Sequence, residues 1–147
     1  MSSIYSPQPT AESLSVVHVV AGALFDSSGR VLIAQRPLGK HMAGGWEFPG
    51  GKVGANERPY DALVRELREE LDIFVQSANP VITYTHEYAD RGVLLDLWHI
   101  TRYVGAPISA EGQPIKWVTL DELDSVGLLA ADRPMIEPLR KTLATRL

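Results

Sequence analysis

The chain has 147 residues, 22% of them charged and 45% hydrophobic, with 14 basic against 18 acidic side chains for a formal charge of -4. That length suits one domain with a buried core; the charge balance argues against a clustered basic surface for duplex nucleic acid, and no apolar run reaches the roughly 18 residues of a membrane span. Cysteine is absent, which excludes disulfides, thiolate nucleophiles and sulfur-ligated metal, and leaves carboxylate, imidazole and backbone oxygen as ligands.

Residues 1–14 lack a basic start followed by an apolar block, so they read as a flexible N-terminal tail rather than a secretory signal. The cytoplasm is the compartment expected, and one domain is expected over 15–147. The stretch 15–25, SVVHVVAGALF, is rich in β-branched residues; Asp26-Ser27-Ser28-Gly29 interrupts it and Val31-Leu32-Ile33-Ala34 resumes it, a pattern that predicts a hairpin. Residues 37–52 carry Pro37, Gly39, Gly44, Gly45, Pro49, Gly50 and Gly51, so this is loop with at most a short strand at Trp46-Glu47-Phe48.

Pro59 suits a helix start, and Tyr60, Leu63, Val64, Leu67 and Leu71 recur at spacings of three and four, which predicts a helix over 59–71 with one apolar stripe. Strands follow at 81–88 and 93–104 around the turn Ala89-Asp90-Arg91-Gly92, then at Ile115–Val118, and Thr119 to Leu123 reads as the opening of a short helix. Ile136, Leu139, Leu143 and Leu147 fall at helical spacing, with the regular part of that helix expected at or after Pro138. Strands mixed with a central and a terminal helix define an α/β or α+β fold in which helices cover a twisted mixed sheet. Spacing does not set the strand order.

The segment that carries chemistry runs from Gly50-Gly51-Lys52 through Glu57 to Arg65-Glu66-Leu67-Arg68-Glu69-Glu70-Leu71-Asp72-Ile73. On a helix, Glu66, Glu69 and Glu70 share an arc of roughly 80° beside the apolar stripe, while Arg65 and Arg68 are expected to point away from its centre. Like charges at this spacing repel by a few tenths of a kcal/mol per pair unless a cation sits among them. Hard oxygen ligands clustered in this way suit magnesium, with manganese as a substitute. An E-x-x-E-E segment on its own more often marks a solvated acidic face.

The whole segment resembles the Nudix box, G-x5-E-x7-R-E-U-x-E-E-x-G-U with U a bulky aliphatic residue. Gly51, Glu57, Arg65, Glu66, Leu67, Glu69, Glu70 and Ile73 fall in register, and only Asp72 departs, standing where the pattern has glycine. Aspartate tolerates a left-handed helix end less well, by roughly 1 kcal/mol. The chain is most similar to MutT-like members, through Ala34-Gln35-Arg36, the stretch from His41 to Lys52, and Glu111-Gly112-Gln113-Pro114 before a tryptophan strand. The resemblance implies a Nudix-type α/β/α sandwich and hydrolysis of an oxidised or non-standard nucleoside triphosphate to the monophosphate and pyrophosphate, in the service of nucleotide-pool sanitation.

By the same resemblance, Glu66, Glu69, Glu70, Glu111 and the Gly50 carbonyl hold magnesium, Glu66 is the general base, and Glu57 pairs with Arg65. Arg36 and His41 face substrate, and base recognition falls to the Phe48 backbone, Arg91 and Asp132. Asp132 stands where 8-oxoguanine enzymes commonly carry asparagine, which admits a base with an exocyclic amine such as cytosine, or a protonated carboxyl facing an oxidised purine; it also fits a helix cap before Pro134. The alternatives are ADP-ribose or a dinucleotide polyphosphate as substrate, or a non-catalytic nucleotide-sensing module. The partner expected is the nucleotide alone, without membrane or nucleic-acid polymer, on a monomer or homodimer.

Overall fold

The computed structural model describes residues 16–145, so the segment expected as a tail and Leu147 of the terminal stripe lie outside the described residues. Its elements are β1 (Val16–Ala23), β2 (Val31–Gln35), β3 (Trp46–Glu47), β4 (Gly50–Lys52), α1 (Pro59–Leu71), β5 (Phe74–Glu87), β6 (Gly92–Val104), β7 (Ile115–Val118), two 3-10 turns at Asp121–Asp124 and Ala130–Met135, and α2 (Ile136–Thr145). Four strands form a mixed sheet in the order β4-β1-β6-β5, in which β1 and β6 are parallel, and three form an antiparallel sheet in the order β3-β2-β7. No described helix is long and apolar enough to cross a membrane.

Alternation along the strands sorts side chains into two cores. On one face Val20, Leu24 and Leu32 pack with Ala62, Leu63, Leu67 and Leu71 of α1; on the other, Ala21, Val31, Ile33, Leu95 and Leu97 pack with Ile136 and Leu139 of α2. The result is the helix–sheet–helix layering expected, with the acidic edge of α1 carried beside its buried stripe.

The elements depart from expectation where local devices disguise them. The turn at Asp26–Gly29 is present, its Asp26 carboxylate accepting from the Ser28 and Arg30 amides at 2.9 Å. Yet β1 and β2 lie in different sheets, joined by a single Phe25–Val31 bridge and the Leu32 N–H to Leu24 carbonyl bond. β5 begins at Phe74 rather than 81, because register shifts between Val75 and Ser77, Ser77 and Ala78, and Pro80 and Ile82 break the period-two signal. The expected helix at 119–123 is a 3-10 turn closed by a capping box, in which the Thr119 amide donates to Glu122 Oε1 at 2.8 Å and the Glu122 amide to Thr119 Oγ1 at 3.2 Å. α2 starts at Ile136, before Pro138, because a proline in a first turn has no intrahelical donor to lose.

Asp72 ends α1 with φ 55° and ψ 39°, its amide donating to the Arg68 carbonyl. The left-handed end that the glycine of the pattern would serve is therefore adopted by an aspartate, with Arg68 at 3.5 Å across an exposed pair that contributes little. Asp72→Gly is expected to stabilise the protein by about 0.5–1 kcal/mol, read as a higher urea midpoint at unchanged slope; an equal or lower midpoint would show that the aspartate is unstrained there.

Candidate active site

Where the two sheets diverge they leave a cleft of about 700 Å³, within the size range of small-ligand sites. β4 forms one wall, pressed so closely on β1 that a Cβ on Gly50 would stand 1.9 Å from the Val20 carbonyl oxygen, and one on Gly51 would stand 2.2 Å from the Glu66 carboxylate. Glycine at position 51 lets the Glu66 carboxylate lie against the backbone where a side chain would displace it, which gives the box glycine a physical reason.

Glu66 and Glu70 enter the cleft from α1, and Glu111 joins them from the loop before β7. That loop is fastened to the carbonyls left free at the C-terminal end of α1: the Ala110 amide donates to the Glu70 carbonyl and the Ile108 amide to the Leu71 carbonyl, each at 3.0 Å. The buried Gln113 side chain adds a bond to the Glu70 carbonyl at 3.2 Å and accepts one from Ser109. Helix termination thus delivers Glu111 to the helix's own carboxylates. Glu69 is half exposed and is not among the residues lining the cleft.

Arg65 does not point away from the acidic arc as its angular position suggested. Its guanidinium curls back, donating to both Glu57 oxygens at 2.9 Å, to Glu66 Oε2 at 2.9 Å and to the Lys52 carbonyl at 3.0 Å, and it stands 3.5 Å from Glu69. Glu57 also accepts the Gly54 amide at 2.8 Å, and these bonds, chiefly those from Arg65, hold its carboxyl down to about 2. The Glu57–Arg65 pairing is present, and it ties the glycine loop, the helix and Glu66 into one unit.

The remaining carboxylates are pushed the other way. Burial raises Glu70 to about 8, with the charges of Glu47, Glu111 and Glu66 adding to it and a Gly50 backbone bond opposing. Glu66 is raised by burial against the pull of Arg65. Glu47, half-buried and raised by that burial, faces Arg36 Nε at 3.5 Å; it sits in a two-residue strand with no motif of its own, which hides it in the sequence.

Among the described residues, no three acidic, histidine or cysteine side chains already stand close enough to chelate one ion. Their chemistry still fits one: several carboxylates share a cleft, and burial, with their mutual charge adding to it, raises the pKa of Glu66 and Glu70. A divalent cation with hard-oxygen preference relieves that repulsion.

At the far end the cleft is lined by Arg36, His41, Phe48, Tyr88, Arg91, Leu129 and Asp132. His41 meets the Tyr88 ring edge-on at 5.3 Å between centroids, and His86 meets the same ring at 4.7 Å. Asp132 is 5% exposed, and its Oδ2 accepts the Phe48 amide at 2.9 Å, so its side chain bonds across the cleft rather than capping its own turn. Burial lifts it to about 7, with Glu47 adding and the Phe48 bond and Arg36 opposing.

This arrangement and the chain's likenesses agree. A family model described as the NUDIX domain matches residues 20–138, and the chain belongs to the Nudix family. Within it the resemblance is to MutT-like hydrolases: the chain is 37% identical over 133 residues to the CTP pyrophosphohydrolase of Escherichia coli K12, covering 90% of this chain and 98% of that one. It is 34% identical over 125 residues to the 8-oxo-dGTP diphosphatase of the same organism, covering 85% and 97%. Among solved structures, the E. coli ORF135 protein matches with a TM-score of 0.80 at 35% identity over 96% and 98% of the two chains. A MutT Nudix hydrolase from Burkholderia pseudomallei matches with 0.76 at 27% identity over 84% and 97%. Members of the family generally use a divalent metal.

The raised Glu70 has a consequence for the metal-free protein. Its unfolded carboxyl ionises near 4.5 while the folded one stays protonated to about 8, so stability falls as pH rises between those values and stays lowered above them. Glu70→Gln removes that loss. In chelator-treated protein its unfolding midpoint should exceed that of the unmodified chain by a margin that grows from pH 5 to 8 and then levels; a variant that is less stable at pH 8 would overturn the reading.

Proposed function

We propose that the protein is a magnesium-dependent pyrophosphohydrolase that cleaves an oxidised or non-standard nucleoside triphosphate, 8-oxo-dGTP or a cytidine nucleotide, to the monophosphate and pyrophosphate. The observation that carries this is one cleft lined by the carboxylates of Glu66, Glu70 and Glu111 and, elsewhere along it, by the buried Asp132 bonded to the Phe48 backbone. The first stretch suits a polyphosphate with its cations, and the second suits a base. Such an enzyme cleanses the cytoplasmic nucleotide pool.

Glu66, Glu69, Glu70, Glu111 and the Gly50 carbonyl are assigned to magnesium, which when bound neutralises phosphate charge and acidifies water. Glu66 takes the proton of the attacking water as general base. Its orientation comes from Arg65, which Glu57 holds in turn, and Gly51 leaves the carboxylate its space. Arg36 offers a fork of donors to a phosphate or a base edge, with Glu47 beside it. His41 and Arg91 border the base, and Asp132 presents the oxygen not used by the Phe48 amide.

Asp132 also bears on which base is taken. An ionised carboxylate accepts from an exocyclic amine, whereas a protonated one donates to an oxo group. With its pKa near 7, rising pH converts the donor to the acceptor. The ratio of kcat/KM for CTP to that for 8-oxo-dGTP is therefore expected to rise between pH 6 and 8; a flat ratio would remove Asp132 from base selection.

The general-base assignment is tested by Glu66→Gln, which keeps size and removes charge. Turnover of the best substrate in a panel of CTP derivatives, 8-oxo-dGTP and ADP-ribose, with magnesium present, should fall at least about a hundredfold while the unfolding transition is retained. Undiminished turnover in folded protein would move the base elsewhere, and ADP-ribose as the best substrate would displace the triphosphate reading.

A further inference from the structure

The turn that carries Asp132 is held from two sides. On one side it is zipped to β3: the Trp46 amide donates to the Gly127 carbonyl at 3.1 Å, the Leu129 amide to the Trp46 carbonyl at 2.8 Å, and the Phe48 amide to Asp132 at 2.9 Å. These bonds all run to the three-stranded sheet. The other side is tied to the four-stranded sheet through Tyr84 of β5, whose hydroxyl donates to the Ala131 carbonyl, the residue immediately before Asp132.

Tyr84 does not line the cleft, although Ala131 and Asp132 both do. It is partly buried against the core beneath α2, on the same face of β5 as Ile82, and pairs with Leu95 of β6. From there the hydroxyl bears on the cleft through the Ala131 backbone that it bonds. On the side of the four-stranded sheet, the side-chain tie that fixes the turn carrying Asp132 is the Tyr84 hydroxyl.

We propose that Tyr84 is a positioning residue that sets base selectivity by fixing the turn on which Asp132 is carried. It deepens the functional reading above and rests on Asp132 contacting the base. Removing the hydroxyl leaves the Ala131 carbonyl without its donor and frees the turn on one side, so the carboxyl loses its register against the base while the phosphate end of the cleft is untouched.

The test is Tyr84→Phe beside Asp132→Asn, the double variant, and Ile100→Val as a control core truncation on the opposite sheet face. Two readouts are taken: kcat and KM on CTP and 8-oxo-dGTP, and hydrogen exchange of the Phe48 amide. Tyr84→Phe is expected to change the ratio of kcat/KM between the two nucleotides by about three- to tenfold, mostly through KM, with kcat on the better one within about twofold. Phe48 exchange should quicken about tenfold, and in the double variant Tyr84→Phe should add little to the selectivity change made by Asp132→Asn. Ile100→Val should leave the ratio and the Phe48 rate near those of the unmodified protein.

The proposal is overturned if Asp132→Asn shifts the ratio and Tyr84→Phe does not, if the two effects simply add, or if Ile100→Val shifts it equally. If neither nucleotide is hydrolysed by the unmodified protein, the functional reading and the selectivity role fall together. Faster Phe48 exchange in Tyr84→Phe would then show that only the structural tie remains.

Discussion

Buried carboxylates repel one another and lose their hydration, and a fold that gathers several in one cleft has to offset both losses. Here the offset is divided. Arg65 ties Glu57 and Glu66 to the glycine loop, whereas Glu70 has no cationic partner among the described residues and rises to about 8. The paired acids are anchored by that arginine, and Glu70 keeps its proton to higher pH than a free carboxyl does. The close approach of β4 to β1 and α1, the glycines that allow it and the fastening of the 108–113 loop to the end of α1 all serve to keep this group together.

The split into two sheets gives the cleft its length. β1 and β2 follow one another around a tight turn yet separate almost at once, and the space between them runs from the α1 carboxylates to Asp132. Glu47 and Arg36 also line it, facing each other from β3 and the residue that follows β2. Each end is therefore built by different parts of the chain: the end proposed for phosphate by the helix and its preceding loop, the end proposed for the base by the segment before α2 packed on β3.

Much of the phosphate end was legible in the sequence because its determinants are local. Helical spacing places Glu66 and Glu70 on one edge beside a buried stripe, and the register of the box accounts for Gly51 and for the pairing of Glu57 with Arg65. The direction of the Arg65 side chain was misjudged because angular position on a helix does not say where a long, flexible side chain ends. The base end was less legible. Glu47 and Tyr84 lie in strands without a motif, and their roles arise from contacts between segments far apart in sequence. The N-terminal half of β5 was hidden for another reason: its bulges and Pro80 interrupt the alternation that reveals a strand, devices that also blunt an open sheet edge.

The parallel pairing of β1 with β6 joins the first described strand to one far along the chain, with Val16 opposite Gly92 and Ala23 opposite His99. Bringing such ends together requires closing a long loop before any ladder bond repays the lost entropy. A ribosome-bound chain that has emerged only through α1 has every box glutamate and β1, but lacks β6, the strand that completes the centre of the sheet. Ligand-binding competence is thus a late event in biogenesis, and the acidic helix spends that interval without the scaffold that gives its charges a purpose.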